Sequence, residues 1–303
     1  MQTRRAKSPF KMTESKCFWL YVSPWIIGFL CFTLIPIGIS LVLSFTNARV
    51  ATIGIRTPDF LGFQNYLELF TIDKLFVKSI LNTFVYAFFR VGASLLWAFL
   101  VALGINRAIP GRTALKLLIY IPCVLPAVAS ALLLQLAFYQ EKSVFVFVVH
   151  ALFGGQELSL ATQELAMPSL IVISTLFGVG GNMILVLAAL GGVPQDVLEA
   201  SELDGATSFQ KFFKITLPMI SPTLFFMLVT GFIGALQAYA EIELVVGKSE
   251  ATMTMAMFVV DNSFGGIGIG YALAASWVVF LIILIFTLAF YKVTIKRVYF
   301  GGE

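Results

Sequence analysis

The chain has 303 residues, of which 59% are hydrophobic and only 12% carry a charged side chain, and its mean hydropathy is +0.94. Soluble domains contain about 25% charged residues, so this composition excludes a water-soluble globular protein and predicts an integral membrane protein. The formal net charge of +4 comes without a basic stripe interleaved with aromatic residues, which argues against nucleic-acid binding.

Six apolar stretches are long enough to cross the hydrocarbon core as helices, which takes about 20 residues. In chain order they cover residues 18–43, 80–104, 117–139, 168–190, 222–246 and 270–291. The first is longer than the apolar region of a signal peptide, about 7–15 residues, so we expect it to remain as a membrane helix. The shorter run 144–153 is expected at the outer interface or in a re-entrant segment. The sequence therefore predicts an all-α polytopic membrane protein with six transmembrane helices.

Lysine and arginine predict the orientation of these helices, because both are enriched in cytoplasmic segments. With the N-terminus inside, 13 of them fall in the cytoplasmic segments and 6 in the outer ones. Both termini are therefore predicted to be cytoplasmic, with tails at 1–17 and 294–303 around a transmembrane domain at 18–293. The same count places the polar segment 191–221 in the cytoplasm.

The segment 191–221 carries local signals for two short helices joined by a tight corner. Pro194 suits the first helical turn, and Gly205 is placed to end the first helix in a left-handed conformation. Thr207 or Ser208 is expected to cap the second helix. An apolar stripe follows on it, formed by Phe209, Phe212 and Phe213. An ordinary interfacial connector is the alternative that these signals leave open.

Polar groups within the apolar stretches are candidates for an interior cavity, because they are costly in the bilayer. Arg90 is expected to line the interior or to pair with an acid. Gln237 and Glu241 are four residues apart on the fifth predicted helix and so would share a face, with Tyr239 on the same turn. Asn182 follows a glycine-rich run in the fourth helix. Hydrogen bonding between helices is the alternative for each of them.

Other signals are set aside. The cysteines Cys17, Cys31 and Cys123 lack metal-like spacing and are expected to be reduced thiols. The tripeptide that begins at Gly247 is no phosphate-binding loop, because Ile242 stands where that motif needs glycine. His150 is the single histidine and has no catalytic partner nearby in the sequence. ATP hydrolysis is therefore expected on another polypeptide, and this chain is expected to be no enzyme.

The polar segment contains a spaced motif that identifies a family. Glu199-Ala200-Ser201, three residues, Gly205, nine residues, Ile215, one residue, Leu217-Pro218 resembles the EAA motif of permease subunits of binding-protein-dependent ABC importers. Serine at Ser201 in place of the second alanine is the one departure, and Asp204-Gly205-Ala206 also matches that motif. The stretches SPWIIGFLCFTLIPIGISLVLSFT, FLGFQNYLELF, LNTFVY and GNMILVLAALGGVPQDVLEA are similar to MalF/UgpA-like carbohydrate permeases.

This resemblance implies the type I importer permease fold (MetI/MalF-like) and a pore subunit for a carbohydrate. The segment 191–221 would be the coupling loop that docks on a separate ATPase, and its candidate coupling residues are Glu199, Ala200, Ser201, Asp204, Gly205, Ala206, Ile215, Leu217 and Pro218. Asn182, Gln237, Tyr239 and Glu241 would lie along the substrate pathway. Leu217-Pro218 would turn the chain back into the membrane.

The resemblance also implies the assembly. The expected partners are a MalG-like second permease subunit, two ATPase subunits that bind ATP and magnesium, an extracytoplasmic solute-binding protein and membrane lipid, with no cofactor in this chain. The expected location is the cell membrane of a bacterium or an archaeon. Oligosaccharides, monosaccharide derivatives and glycerol phosphate all remain open as substrates.

Two other classes of protein are weighed against this one. An ion-coupled secondary transporter would use Glu241 or Glu243 as its coupling carboxylate, but it would need no cytoplasmic docking loop. A structural or assembly membrane protein would need no polar residues that converge on a cavity.

Overall fold

The computed structural model of the chain describes residues 14–49, 57–106, 110–139, 143–153, 160, 162–264 and 268–298. Regular structure in these ranges is helical, apart from an isolated antiparallel bridge between Thr46 and Phe60. The predicted all-α class is therefore confirmed. His150 lies in a described helix, but its side chain is outside the described part of the structure.

Within the described residues, five helices are long and apolar enough to cross a membrane: Cys17–Leu43, Lys74–Asn106, Ala127–Val148, Ser208–Leu236 and Ile269–Thr294. A sixth span is obtained when the bent pair Ala166–Phe177 and Val179–Gly191, with 47° between its helices, is counted as one. We number the six in chain order as spans 1 to 6, so that the bent pair is span 4. They correspond to the six predicted apolar stretches, with shifted boundaries.

Shorter helices connect the spans. They are Gln64–Thr71, Arg112–Val124, Gln195–Leu203, Ala240–Val246 and Met255–Phe264, whereas the helix Val144–Phe153 overlaps the end of span 3. Three of the described spans contain a π-helical turn that widens the helix, at Leu30–Leu34 in span 1, at Gln135–Tyr139 in span 3 and at Phe212–Thr216 in span 5. The apolar run expected at the outer interface does form the helix Val144–Phe153, and its position in the membrane stays a prediction.

The predicted third stretch, 117–139, is not one continuous helix. Leu125 and Pro126 have extended backbone, with ψ angles of 144° and 138°. Proline disfavours helical backbone at the residue before it and lacks the N–H that a helix needs. The stretch is therefore divided between the helix Arg112–Val124 and span 3.

The predicted fifth stretch, 222–246, is also interrupted. Span 5 ends at Leu236, and three residues separate it from the helix Ala240–Val246. The hydroxyl of Thr254 donates to the carbonyl of Ala238 at 2.8 Å, and Thr254 is completely buried. A group from the following loop thus satisfies a carbonyl that the interruption removes from the helix.

Span 2 is the centre of the bundle, because spans 4 and 5 and the helix Met255–Phe264 all pack against it. Span 1 is different. None of its most apolar window is buried within the chain, and its main contact is between Ile35–Leu43 and span 6. The chain therefore has a packed body of five spans and one span at its side.

Gly180 marks the place where the second half of span 4 approaches the helix Arg112–Val124 most closely. A Cβ on Gly180 would overlap the carbonyl oxygen of Ile119 and would lie 2.9 Å from the Cα of Tyr120 and 3.0 Å from the Sγ of Cys123. Backbone atoms of a packed helix do not move aside easily, so a side chain at this position forces the two helices apart.

We predict that Gly180→Ala destabilises the protein by about 1–3 kcal/mol, the usual cost of an overpacked core. The measurement is thermal unfolding of the purified protein in detergent. Gly181→Ala is the matched control, because a Cβ on Gly181 would have no heavy atom within 4 Å. Equal melting temperatures for the two variants would show that the contact at Gly180 does not constrain the packing.

Candidate functional site

The polar loop begins with the helix Gln195–Leu203. The sequence predicted Pro194 in the first turn of this helix. Pro194 precedes the helix instead, with φ −59° and ψ 130°. At the other end, the N–H of Ala206 donates to the carbonyl of Ser201 at 3.0 Å, and the N–H of Gly205 donates to that of Glu202 at 3.0 Å. Gly205 has a φ of +76°. This pair of bonds is the Schellman motif that closes a helix through a left-handed residue, and it confirms the predicted corner.

The second helix of the loop begins with a reciprocal cap. The N–H of Gln210 donates to the hydroxyl of Thr207 at 3.3 Å, and the N–H of Thr207 donates to Oε1 of Gln210 at 2.9 Å. Of the two predicted caps, Thr207 is therefore the one used, in a capping box. An ion pair between Lys211 and Glu202 links the second helix to the first. The angle between the two helices is thus held by backbone and side-chain contacts together.

The side chains of the first helix divide into an exposed set and a buried one. Glu199 and Ala200 are exposed. Ser201 is only 7% exposed, and its hydroxyl donates to the carbonyl of Leu198 at 2.7 Å. Ser201, one of the candidate coupling residues, therefore faces the chain itself and not the exposed surface of the helix. Leu203 is 91% exposed, and sequence reasoning did not single it out.

The rest of the coupling motif lies inside span 5. The helix is continuous from Ser208 to Leu236. Leu217-Pro218 therefore does not reverse the direction of the chain, contrary to the expectation from the sequence. The π-helical turn just before them lets the N–H of Leu217 donate to the carbonyl of Phe212, which accommodates a proline in a continuous helix. Ile215, Leu217 and Pro218 are half-buried.

The three phenylalanines of the predicted stripe have two kinds of surroundings. Phe212 packs against Phe99 of span 2, with ring centroids 5.8 Å apart, and so attaches the loop to the bundle. Phe209 and Phe213 pack against one another in a tilted arrangement, with ring centroids 4.4 Å apart, and remain 71% and 48% exposed. Exposed aromatic rings beside exposed Leu203 give the loop an apolar surface.

A second polar region lies in the membrane, around a cavity of about 340 Å³. Arg90 of span 2 and Glu241 line it, with the closest ion-pair atoms, Nη2 and Oε1, 3.5 Å apart. The hydroxyl of Tyr86 donates to the same Oε1 of Glu241, and the Arg90 guanidinium lies 5.7 Å from the Tyr86 ring centroid. The expectation that Arg90 pairs with an acid is confirmed.

The other predicted pathway residues do not join Glu241. Gln237 lines a different cavity of about 400 Å³, which is otherwise formed mostly by span 6, because the helix is interrupted between Gln237 and Glu241. The idea that these two residues share a helix face is therefore wrong. Asn182 donates to the hydroxyl of Ser94 of span 2 at 2.9 Å. This is a hydrogen bond between helices, which the sequence analysis gave as the alternative to a role in the pathway.

Tyr239 lies at the helix interruption itself, next to a second charged cluster. Lys248 contacts Glu243 at 3.3 Å and Asp261 at 2.7 Å. The hydrogen bond to Asp261, and then that to Glu243, raises the pKa of Lys248 above its ordinary value. Among the described residues, no group of three or more His, Cys, Asp or Glu side chains is placed to hold a metal ion.

Comparison with known proteins extends these observations. The model of a family described as "binding-protein-dependent transport system inner membrane component" matches residues 91–298. The probable ABC transporter permease protein YesP of Bacillus subtilis (strain 168) is 32% identical over 290 residues, which cover 94% of this chain and 92% of YesP. The trehalose/maltose transport system permease protein MalF of Thermococcus litoralis is 26% identical over 94% of this chain and 96% of its own.

A solved structure shows the same fold. A chain of the bacterial alginate ABC transporter, in complex with an alginate pentasaccharide-bound periplasmic protein, matches with a TM-score of 0.79. The match covers 96% of this chain and 97% of that chain at 23% identity, and so it concerns the fold alone. Together with the match over residues 91–298, these findings show that the chain belongs to the inner membrane components of binding-protein-dependent transport systems, and that it is similar to the permease subunits of ABC transporters.

Proposed function

We propose that this chain forms half of the translocation pathway for a carbohydrate and that the loop 191–221 couples it to a separate ATPase. ATP binding would close the ATPase subunits, and the loop would carry that motion into the spans. The cavity would then open outward to receive the substrate, and hydrolysis would reset it. The finer points of this scheme, including the substrate, rest on the arguments that follow.

The observation that carries the coupling role is an exposed surface on a rigid corner. The Schellman motif at Gly205 and the capping box at Thr207 fix the direction of the helix Gln195–Leu203 relative to the start of span 5. Leu203 and Phe209 are 91% and 71% exposed, and Glu199 is free to meet a basic residue through charge-assisted hydrogen bonds. Exposed apolar side chains with a charge beside them are typical of a docking surface.

A connection from this surface into the membrane supports the same role. Span 5 is continuous from Ser208 to Leu236, so movement of the loop would reach the helix interruption near Glu241 without an intervening joint. Phe212 also holds the loop against Phe99 of span 2, the span that carries Arg90. Both partners of the membrane ion pair are thus linked to the loop.

The partners follow from what one chain lacks. A motor with two ATPase subunits needs two coupling loops, and this chain supplies one, which implies a MalG-like second permease subunit. The unburied face of span 1 offers that subunit, or lipid, an extended apolar contact. A solute-binding protein outside the membrane would deliver the substrate.

An ion-coupled secondary transporter is less well supported. Its two candidate carboxylates are both paired with cations, Glu241 with Arg90 and Glu243 with Lys248. Both carboxylates are thus held in ion pairs within the chain. Family membership points the same way.

Orientation is tested by cysteine labelling, in a background in which the three natural cysteines are replaced by serine. We predict that Phe60→Cys labels with an impermeant thiol reagent in right-side-out vesicles, whereas Pro110→Cys and Leu203→Cys do not, because lysine and arginine counts place the latter two in the cytoplasm. All three positions are exposed on the chain. Labelling after the vesicles are opened is the control, and labelling of Leu203→Cys from outside would exclude both the orientation and the docking role.

Coupling is tested at the corner. Gly205→Val places a β-branched residue at a φ of +76°, where the left-handed backbone costs about 1–2 kcal/mol. We predict that the variant inserts normally but loses sugar uptake, because the docking helix is misdirected. Glu199→Lys, which reverses a charge on the exposed face, is expected to lose uptake as well. Uptake into vesicles and copurification of the ATPase are the two measurements.

Gly205→Asn is the matched control, because asparagine adopts the left-handed conformation more readily than other residues with a side chain. A Cβ at this position meets no heavy atom within 4 Å, so backbone conformation alone separates the two variants. Uptake should be largely retained in Gly205→Asn. Wild-type uptake in both Gly205→Val and Glu199→Lys, with the ATPase bound, would show that the loop does not couple.

A further inference from the structure

The membrane cavity lies where three helical spans are interrupted or bent. Its lining includes Leu125 at the proline interruption, Gly178 at the bend of span 4, and Glu241 just beyond the interruption that follows span 5. Irregular backbone at membrane depth is tolerated where it lines a cavity or is buried in protein. The volume of about 340 Å³ falls in the range of small-molecule sites, about 300–1,000 Å³.

The charges of this cavity lie deep in the membrane whichever way the chain is oriented. Arg90 is the central residue of span 2, which has 33 residues, so it lies about 24 Å from either end of that helix. The hydrocarbon core is about 30 Å thick, and Arg90 is therefore inside it wherever along the helix the membrane lies. Ionisable residues at such depth are expensive and usually mark a pathway.

The Arg90–Glu241 ion pair in the cavity can form further hydrogen bonds with a ligand. Nη2 of Arg90 and Oε1 of Glu241 are 3.5 Å apart, longer than the usual charge-assisted hydrogen bond of about 2.7–2.9 Å. The side chain of Arg90 is 27% exposed and lines the cavity. The side chain of Glu241 is 38% exposed. A donor and an acceptor are thus available within one small volume.

The net charge of the cavity discriminates among the saccharide classes that the sequence left open as substrates. Among the described lining residues, Arg90 is the one base and Glu241 the one acid, so the two charges cancel. A ligand that brought its own carboxylate or phosphate would add an uncompensated negative charge beside Glu241, in a medium of low dielectric constant. A neutral ring with neighbouring hydroxyls can donate to Glu241 and accept from Arg90 at no such cost.

We propose that Arg90 and Glu241 together make this cavity selective for uncharged saccharides over uronic acids and sugar phosphates. The inference rests on the proposed function, because it narrows the substrate class of the same pathway. It assigns Arg90 a direct role in binding the substrate, whereas the sequence left open whether Arg90 lines the interior or pairs with an acid. The neighbouring Ser130 and Ser174 add neutral hydroxyl groups, which suit a polyol equally well.

The test is direct binding of labelled saccharides to the permease complex, purified with its ATPase in lipid nanodiscs and without the solute-binding protein. The probes are neutral oligosaccharides of two to four sugar units in gluco, galacto and manno series, each with its matching oligouronide. Members of a pair differ only in a hydroxymethyl group against a carboxylate. Wild-type complex should bind at least one neutral series, and its oligouronide about tenfold more weakly or worse.

Two variants separate charge from packing. Glu241→Gln leaves the Arg90 charge uncompensated and should shift the ratio of neutral to acidic binding by about tenfold or more toward the oligouronide. The double variant Arg90→Gln with Glu241→Gln restores neutrality, so it should still reject the oligouronide while it binds the neutral sugar more weakly. Copurification of the ATPase shows that each complex is assembled.

Failure of the inference can be told from failure of the proposed function. An assembled wild-type complex that prefers oligouronides, or binds neither probe, would overturn the inference, and so would an unchanged ratio in Glu241→Gln. Absence of the ATPase from the purified wild-type complex would count against the coupling role itself.

Discussion

A hydrocarbon layer offers no hydrogen-bond partners, so each interruption of a spanning helix must be closed by groups from elsewhere in the protein. This constraint shapes the middle of the molecule. The carbonyl of Ala238, released where span 5 ends, accepts a hydrogen bond from buried Thr254. The loop that carries Thr254 is fastened in turn to span 2, where Asn82 donates to the carbonyls of Glu250 and Met253 at 2.9 and 3.0 Å. These hydrogen bonds hold the interrupted backbone between span 5 and the helix that carries Glu241.

The features that sequence reasoning predicted well are those whose causes are local. Six apolar stretches appear as spans because length and hydropathy alone decide whether a helix can cross a membrane. The corner at Gly205 and the cap at Thr207 depend on neighbours within five residues, so their spacing contains the necessary information. The pairing of Arg90 was also predicted, since a charge at that depth needs a partner.

The structural features that the sequence did not predict depend on contacts between distant parts of the chain. Nothing in the sequence between Leu236 and Ala240 is a helix breaker, since this stretch contains no proline or glycine. The interruption is stabilised by Thr254, a partner that folding alone brings near. Because the interruption separates Gln237 from Glu241, the two residues line different cavities. Ser201 is similar, because periodicity does not reveal which face of a short, mostly polar helix lies against the bundle.

The exposed apolar side chains of the loop have a consequence for how cells must make this protein. Leu203 and Phe209 project from a segment that lies in water if the predicted orientation holds, and neither is covered by the chain itself. A copy synthesised in excess of its ATPase would present a sticky surface to the cytoplasm, while span 1 would lack a protein neighbour in the bilayer. In the proposed assembly, balanced production of the subunits would keep both apolar surfaces covered.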